Sequence, residues 1–207
     1  MGPKTKFTKE QIIDAAFEIA RVEGIDNITM RKIAKKMGSS VAPIYVNFKD
    51  TNELIDALVE RIISISQQLL IEESTGNPFY DMGSASLRFA MEYNVLFKDL
   101  VMKNNSYMKD YDEKMIPTLI KEMKNDPELK GFTEDELKII LLKMRIFQLG
   151  LSVMVANGLM PKDYKKQDLM DILSSTADDV ILSAQLSKSQ LDKVKLHSDG
   201  VLTPPEC

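Results

Sequence analysis

Apolar residues recur along almost the whole chain at helical spacing, three and four apart, and no stretch alternates convincingly with the period of two that marks a strand. The first element has a complete start signal. Thr8 and Gln11 are spaced as a capping box, and Phe7 and Ile12 sit at the two positions of a hydrophobic staple. Ile12, Ile13, Ala16, Phe17, Ile19 and Ala20 then form an apolar stripe that Gly24 ends. A short second helix is predicted from a Thr29 cap, with Met30, Ile33, Ala34 and Met37 inward and Gly38 as its stop. A third short helix is predicted over 41–48, with Pro43 at its third position, where no intrahelical amide bond is lost. Asp50 and Glu53 open a fourth by reciprocal capping, and its stripe continues through Leu54, Leu58, Ile62 and Leu69.

The STGNP stretch at 74–78 breaks the pattern, and Asn77-Pro78 reads as a cap followed by a first-turn proline. Asn94 starts another short helix. Between 104 and 127, Pro117 either kinks a helix or begins one. Thr133 and Glu136 form a second capping box, opening a long helix that stops at Gly158. A last long helix is expected from about Lys166 to Leu186, followed by a loose tail over 188–207. The expected fold is all-α, about nine helices in total. An N-terminal three-helix domain occupies 1–50, helix 51–73 connects, and a larger helical domain fills 74–187.

Charge sharpens this division. The whole chain is acidic, with 27 Lys and Arg against 31 Asp and Glu. Residues 1–50 nevertheless hold nine basic and six acidic side chains, leaving 18 against 25 for the remainder. A basic head on an acidic body is the asymmetry expected when only the head meets phosphates. The chain has one histidine, His197, and one cysteine, Cys207, both near the C-terminus. Cys-His or Ser-His catalysis and His/Cys metal sites therefore have little to work with, and neither a cofactor nor an enzyme activity is expected. No signal peptide, and no apolar run as long as a membrane span, is read from the sequence, so a cytoplasmic protein without membrane contact is expected.

The functional signal lies in residues 29–48: a short helix, a glycine turn, and a second short helix. This is the helix-turn-helix arrangement, whose second helix enters the major groove of DNA. Spacing alone is common in helical proteins. The fuller string ITMRKIAKKMGSSVAPIYVNFKDTNELIDALV, with the preceding helix and Gly24, resembles the DNA-binding domain of the TetR family of bacterial regulators. The match rests on Thr29, Ile33-Ala34, Gly38, Tyr45 and Phe48, and Glu53-Leu54; beyond residue 70 it is architectural only.

The resemblance implies a repressor that a small hydrophobic effector releases from a palindromic double-stranded DNA operator. It implies phosphate contacts at Thr29 and Tyr45, base reading or backbone clamping by Arg31, and base-edge contacts at Ser40, Val41, Ala42 and Pro43. Those four offer little hydrogen bonding, which favours thymine methyls and groove shape as the means of selection. Asn47 and Lys49 are expected beside the DNA backbone. Thr51 departs from the family's usual lysine, and Lys4, Lys6 and Lys9 are placed to compensate from an N-terminal arm.

For the larger domain, an effector cavity is expected among Phe89, Tyr93, Phe97, Tyr107, Met115, Met144, Phe147, Gln148 and Leu151. Any one of these also suits an ordinary core. A homodimer is expected through the last two helices, where Gly150, Ser152 and Ala156 permit close approach beside Leu173, Ala177, Val180 and Ala184. The same small residues also suit packing within one subunit. The competing function is a helical protein-interaction module whose helix-turn-helix does not bind DNA.

Overall fold

The structure, a computed structural model, describes residues 7–108 and 111–199. Nine α-helices run among the described residues: α1 (Lys9–Glu23), α2 (Met30–Lys36), α3 (Ala42–Asn47), α4 (Thr51–Glu72), α5 (Pro78–Glu92), α6 (Asn94–Phe97), α7 (Tyr111–Met123), α8 (Glu134–Ala156) and α9 (Lys166–Asp199). Helix α6 continues directly into a wide π-turn, Lys98–Met102.

Local chemistry sets the boundaries. The capping boxes at Thr8/Gln11 and Thr133/Glu136 are both closed in both directions. At α4 only half the expected box forms. Asp50 Oδ1 accepts from the Glu53 amide, but Glu53 Oε2 accepts from the amide of Lys49 rather than that of Asp50. Pro43 falls at the second position of α3, one earlier than predicted, where its missing amide costs no helical bond. Asn77 Oδ1 accepts from the Tyr80 amide and so caps α5. Pro117 lies inside α7 rather than at its start. Helix α9 overruns its predicted end near Leu186 and reaches Asp199, so the predicted loose tail begins inside a helix; residues 200–207 lie outside those described.

Two apolar clusters fill the interior, and they do not follow the expected boundary at residue 50. The first joins α1, α2 and α3 to α4 and then to Ala85, Phe89 and Ala90 of α5, Leu96 and Phe97 of α6, and Ala156 of α8. The second packs α7, α8 and α9 around Leu87 of α5. Helix α5 is thus the wall between them. Arg88 fastens it to the end of α4, reaching Glu72 at 2.8 Å and Glu73 at 3.1 Å, and is held within α5 by Glu92 at 2.6 Å. These carboxylates hold the guanidinium pKa above its ordinary value.

Helix α8 corrects one expectation. It is long and apolar enough, by length and composition, to cross a membrane. The reason is that it is apolar on two sides. One side, including Leu137, Ile140, Leu141, Met144 and Leu151, enters the core; the other presents Ile139, Leu142, Ile146 and Leu149 outward.

Candidate nucleic-acid interface

Helix α3 is held from behind. Ile44 and Phe48 are fully buried against Ile33 and Ala34 of α2 and Leu54 and Leu58 of α4. The turn joining α2 to α3 passes through Gly38 at φ +63°, a left-handed conformation that a side chain disfavours even though open space surrounds it. Ser39 then donates its amide to the Ala34 carbonyl, closing the end of α2.

This scaffold leaves the outer face of α3 bare. Tyr45 is 55% and Val46 84% exposed, and Ser40 and Ala42 are exposed beside them, with Val41 and Pro43 half-buried. Val46 was not among the sequence candidates. It sits one turn after Ala42 on the same face, a register that would have found it. Thr29 is exposed at the start of α2. Its Oγ accepts from the Lys32 amide, which leaves the hydroxyl proton free to donate outward. Arg31, Lys35, Lys36 and Lys49 are exposed and, among the described residues, have no carboxylate partner. Lys32, by contrast, is engaged by Glu23 at 2.6 Å.

Other candidates are placed less simply. The Asn47 side chain turns inward: its Nδ2 donates to the Pro43 carbonyl at 2.9 Å and the Phe7 carbonyl at 3.3 Å, tying the N-terminal segment to α3. Thr51 is half-buried in the first turn of α4. Lys9 bridges Glu53 at 3.5 Å and lies 5.1 Å from the Phe48 ring centre. Lys4 and Lys6 lie outside the described residues.

The expected effector-lining set is divided. Phe89, Tyr93, Phe97 and Tyr107 belong to the first cluster, where Tyr93 stacks on Phe89 at 5.4 Å and meets Phe17 of α1 at 6.0 Å. Met144, Phe147 and Leu151 belong to the second, and Met115 is half-buried on α7. Gln148 links the α5–α8 contact, its Nε2 donating to Ser86 Oγ at 2.6 Å and Ser152 Oγ at 3.1 Å. An open groove of about 580 Å³ lies elsewhere, between Ile55, Asp56, Val59, Glu60 and Ile63 of α4 and Ser106-Tyr107; of the expected set, Tyr107 alone borders it.

The expected interface set is divided too. Ser152, Ala156, Leu173 and Ala177 are buried within the subunit, and Val180 and Ala184 are half-buried against the second cluster. Gly150 lies on the outward stripe of α8 with open space around it. The expected contact is made of small residues; the exposed face of α8 is made of large ones. No cluster of three or more metal-ligating side chains occurs among the described residues.

Comparison with known proteins agrees with this geometry. Residues 12–58 match the family model described as bacterial regulatory proteins, tetR family. The tetracycline repressor protein class D of Escherichia coli is 37% identical over 59 residues, covering 28% of this chain and 27% of that protein. The HTH-type transcriptional repressor DrrR1 of Streptomyces coeruleorubidus is 29% identical over 91 residues, covering 44% of this chain and 30% of that protein. The chain thus spans about a third or less of the length of these curated relatives. Over a longer reach, a TetR variant from Acinetobacter baumannii AYE, solved in complex with minocycline, shares the fold. Its TM-score is 0.56 at 16% identity, covering 87% of this chain and 97% of that one.

Proposed function

Because the chain belongs to the TetR family of bacterial regulatory proteins, a family of regulators and not of enzymes, we propose that it is a dimeric repressor that a small hydrophobic effector releases from an operator. The observation that carries this reading is the bare outer face of α3, with Tyr45 and Val46 exposed on a helix whose inner face is locked by Ile44 and Phe48. A short helix fixed from behind and empty in front is built to be inserted into something.

The chemistry around it suits double-stranded DNA. Arg31, Lys35, Lys36 and Lys49 release counterions by neutralising phosphates, a term that fixes affinity but not sequence. Thr29 and Tyr45 supply hydroxyls for phosphate oxygens. Base selection falls to Ser40, Val41, Ala42, Pro43 and Val46, whose methyl and methylene groups match thymine C5 methyls better than polar edges. Two heads on a two-fold dimer read a palindrome. The uncovered α8 stripe of Ile139, Leu142, Ile146 and Leu149 provides the apolar face on which a second copy packs. The minocycline complex of a protein sharing this fold supports a small effector, and a double-stranded DNA partner implies a cytoplasmic location.

The test is selection from a random duplex library followed by fluorescence anisotropy at low and moderate salt. Sequence-preferring, salt-sensitive binding, weakened by both Tyr45→Ala and Arg31→Ala, is the expected result. A folded protein that selects no sequence refutes the repressor and favours the interaction module.

A further inference from the structure

The α1–α2 turn is held by a side chain from the other end of the first cluster. Gly24 and the short 3-10 turn Ile25–Asn27 have no side-chain cap of their own. Instead Asp99, in the π-turn after α6, is 4% exposed and accepts from the Ile25 amide through Oδ2 at 2.6 Å, across 74 residues of sequence. Its other oxygen meets Lys103 Nζ at 2.6 Å, and the same ammonium reaches Asp26 at 2.8 Å. The turn is therefore gripped twice, once at its backbone and once at its carboxylate. Gly24 is required for the grip: at φ +92° a Cβ there would stand 2.7 Å from Asp99 Oδ2.

The gripping segment is itself braced. Asn105 Nδ2 donates to the carbonyls of Asp99, Leu100 and Lys103, at 2.8, 3.1 and 2.9 Å, while its Oδ1 accepts from the Tyr107 amide. A buried carboxylate is expensive to desolvate unless it is paired and hydrogen-bonded, and any apolar residue would fill the same space without that cost. Such a group contributes one defined geometry rather than mere cohesion.

We propose that Asp99 is a positioning residue for DNA recognition: by holding the Gly24–Asn27 turn it fixes the angle of the head on the body, and hence the separation of the two recognition helices. This rests on the repressor reading above. In a dimer that separation must match the distance between half-sites. Released from Asp99, each head samples a range of angles, so affinity for the correctly spaced operator falls while tolerance of wrong spacing rises.

The test uses the full chain and a duplex selected from a random library, with derivatives carrying one or two base pairs inserted or deleted between the half-sites. Wild type is expected to discriminate sharply among them. Asp99→Ala is expected to bind the selected spacing about tenfold less tightly, as loss of a hydrogen bond to a charged acceptor implies, and to flatten the discrimination. Asp99→Asn, which keeps an acceptor for Ile25 but loses the pairing with Lys103, falls between and serves if Asp99→Ala fails to fold. Ile140→Val, a change in the second cluster, is expected to lower stability and leave spacing discrimination intact. Selected binding whose spacing preference survives in the Asp99 variants, or changes equally in Ile140→Val, overturns the inference alone. A wild type that selects no sequence overturns it together with the repressor.

Discussion

Substituting Ile146 tests whether α8 joins two subunits. The side chain is 64% exposed in one subunit, at the middle of a stripe with Ile139, Leu142 and Leu149 exposed beside it. Full burial of an isoleucine contributes about 1.5–3 kcal/mol, so covering the exposed part yields about 1–2 kcal/mol per subunit. Two-fold symmetry counts the residue twice. Truncation by Ile146→Ala forfeits most of that, about 2–3 kcal/mol per dimer, which raises the dimer dissociation constant about 30- to 150-fold. Ile146→Glu places two carboxylates at the centre of the same contact and is expected to leave monomers. Sedimentation velocity over a dilution series reads both. The control is Ile140→Ala, six residues earlier on the inward side of the same helix and 2% exposed, which creates a cavity within the subunit. It is expected to lower unfolding stability by about 2–5 kcal/mol and to leave the association of folded protein unchanged. A dissociation constant unmoved by Ile146→Ala, with Ile146→Glu still dimeric, would refute the assignment of this face.

Three further outcomes follow from other sites. Replacing thymine by deoxyuridine at individual operator positions removes one methyl at a time; at least one replacement should weaken wild-type binding and not that of Val46→Ala, and uniform insensitivity would rule out methyl reading by Val46. Ser84 is 1% exposed and its Oγ has no hydrogen-bond partner among the described residues, so Ser84→Ala should leave urea stability equal or raise it by about 1 kcal/mol. A clear loss would show a hidden partner. The Glu136 carboxyl is held down to about 2, first by Lys188 Nζ at 2.8 Å and then by the Thr133 amide. A lowered pKa contributes stability above the unfolded value of about 4.3, lost as pH falls toward the folded value. Lys188→Met should therefore flatten the acid decline in thermal midpoint between those limits, modestly, because the pair is partly exposed to solvent. An unchanged decline would count against the pairing.

What the chain reveals before folding depends on how far apart the partners lie. Thr8 and Gln11, Thr133 and Glu136, Asn77 and Tyr80 are separated by three residues, so spacing alone exposes their caps. The head was equally readable, because Ile33, Ala34, Ile44 and Phe48 pack across one short turn. Asp99 shows the opposite case. In KDLVM it looks like an ordinary solvated acid, and only the arrival of Ile25 from 74 positions away makes it a buried cap. The same limit explains why Ser152, Ala156, Leu173 and Ala177, expected at a subunit contact, are buried within one subunit. Ser152 and Ala156 are small because α5 and the first cluster press on that side of α8, whereas the outward side could be recognised only once the inward side was known. Phe89 and Tyr93 have the composition of a ligand wall, yet they stack on each other and Tyr93 meets Phe17 of the head. The length of α9 is hidden for a local reason, since Ser, His and Asp near its end have the character of turn residues.

The first apolar cluster has a consequence for anyone wishing to transplant the N-terminal head of this protein. Its buried members run without interruption from Ile12 and Ile33 through Leu58 to Phe89, Leu96 and Ala156. Cutting the gene at residue 50 would therefore divide a packed interior, leaving the donor head with a raw apolar underside and the recipient body with an unmatched one. A functional chimera needs α4 and the facing surfaces of α5 and α6 to travel with the head. Retargeting by surface substitution asks for far less, because the outward side chains of α3 contribute nothing to that interior. A new outer face for α3 is thus within reach of a few codons, while new combinations of head and body are not.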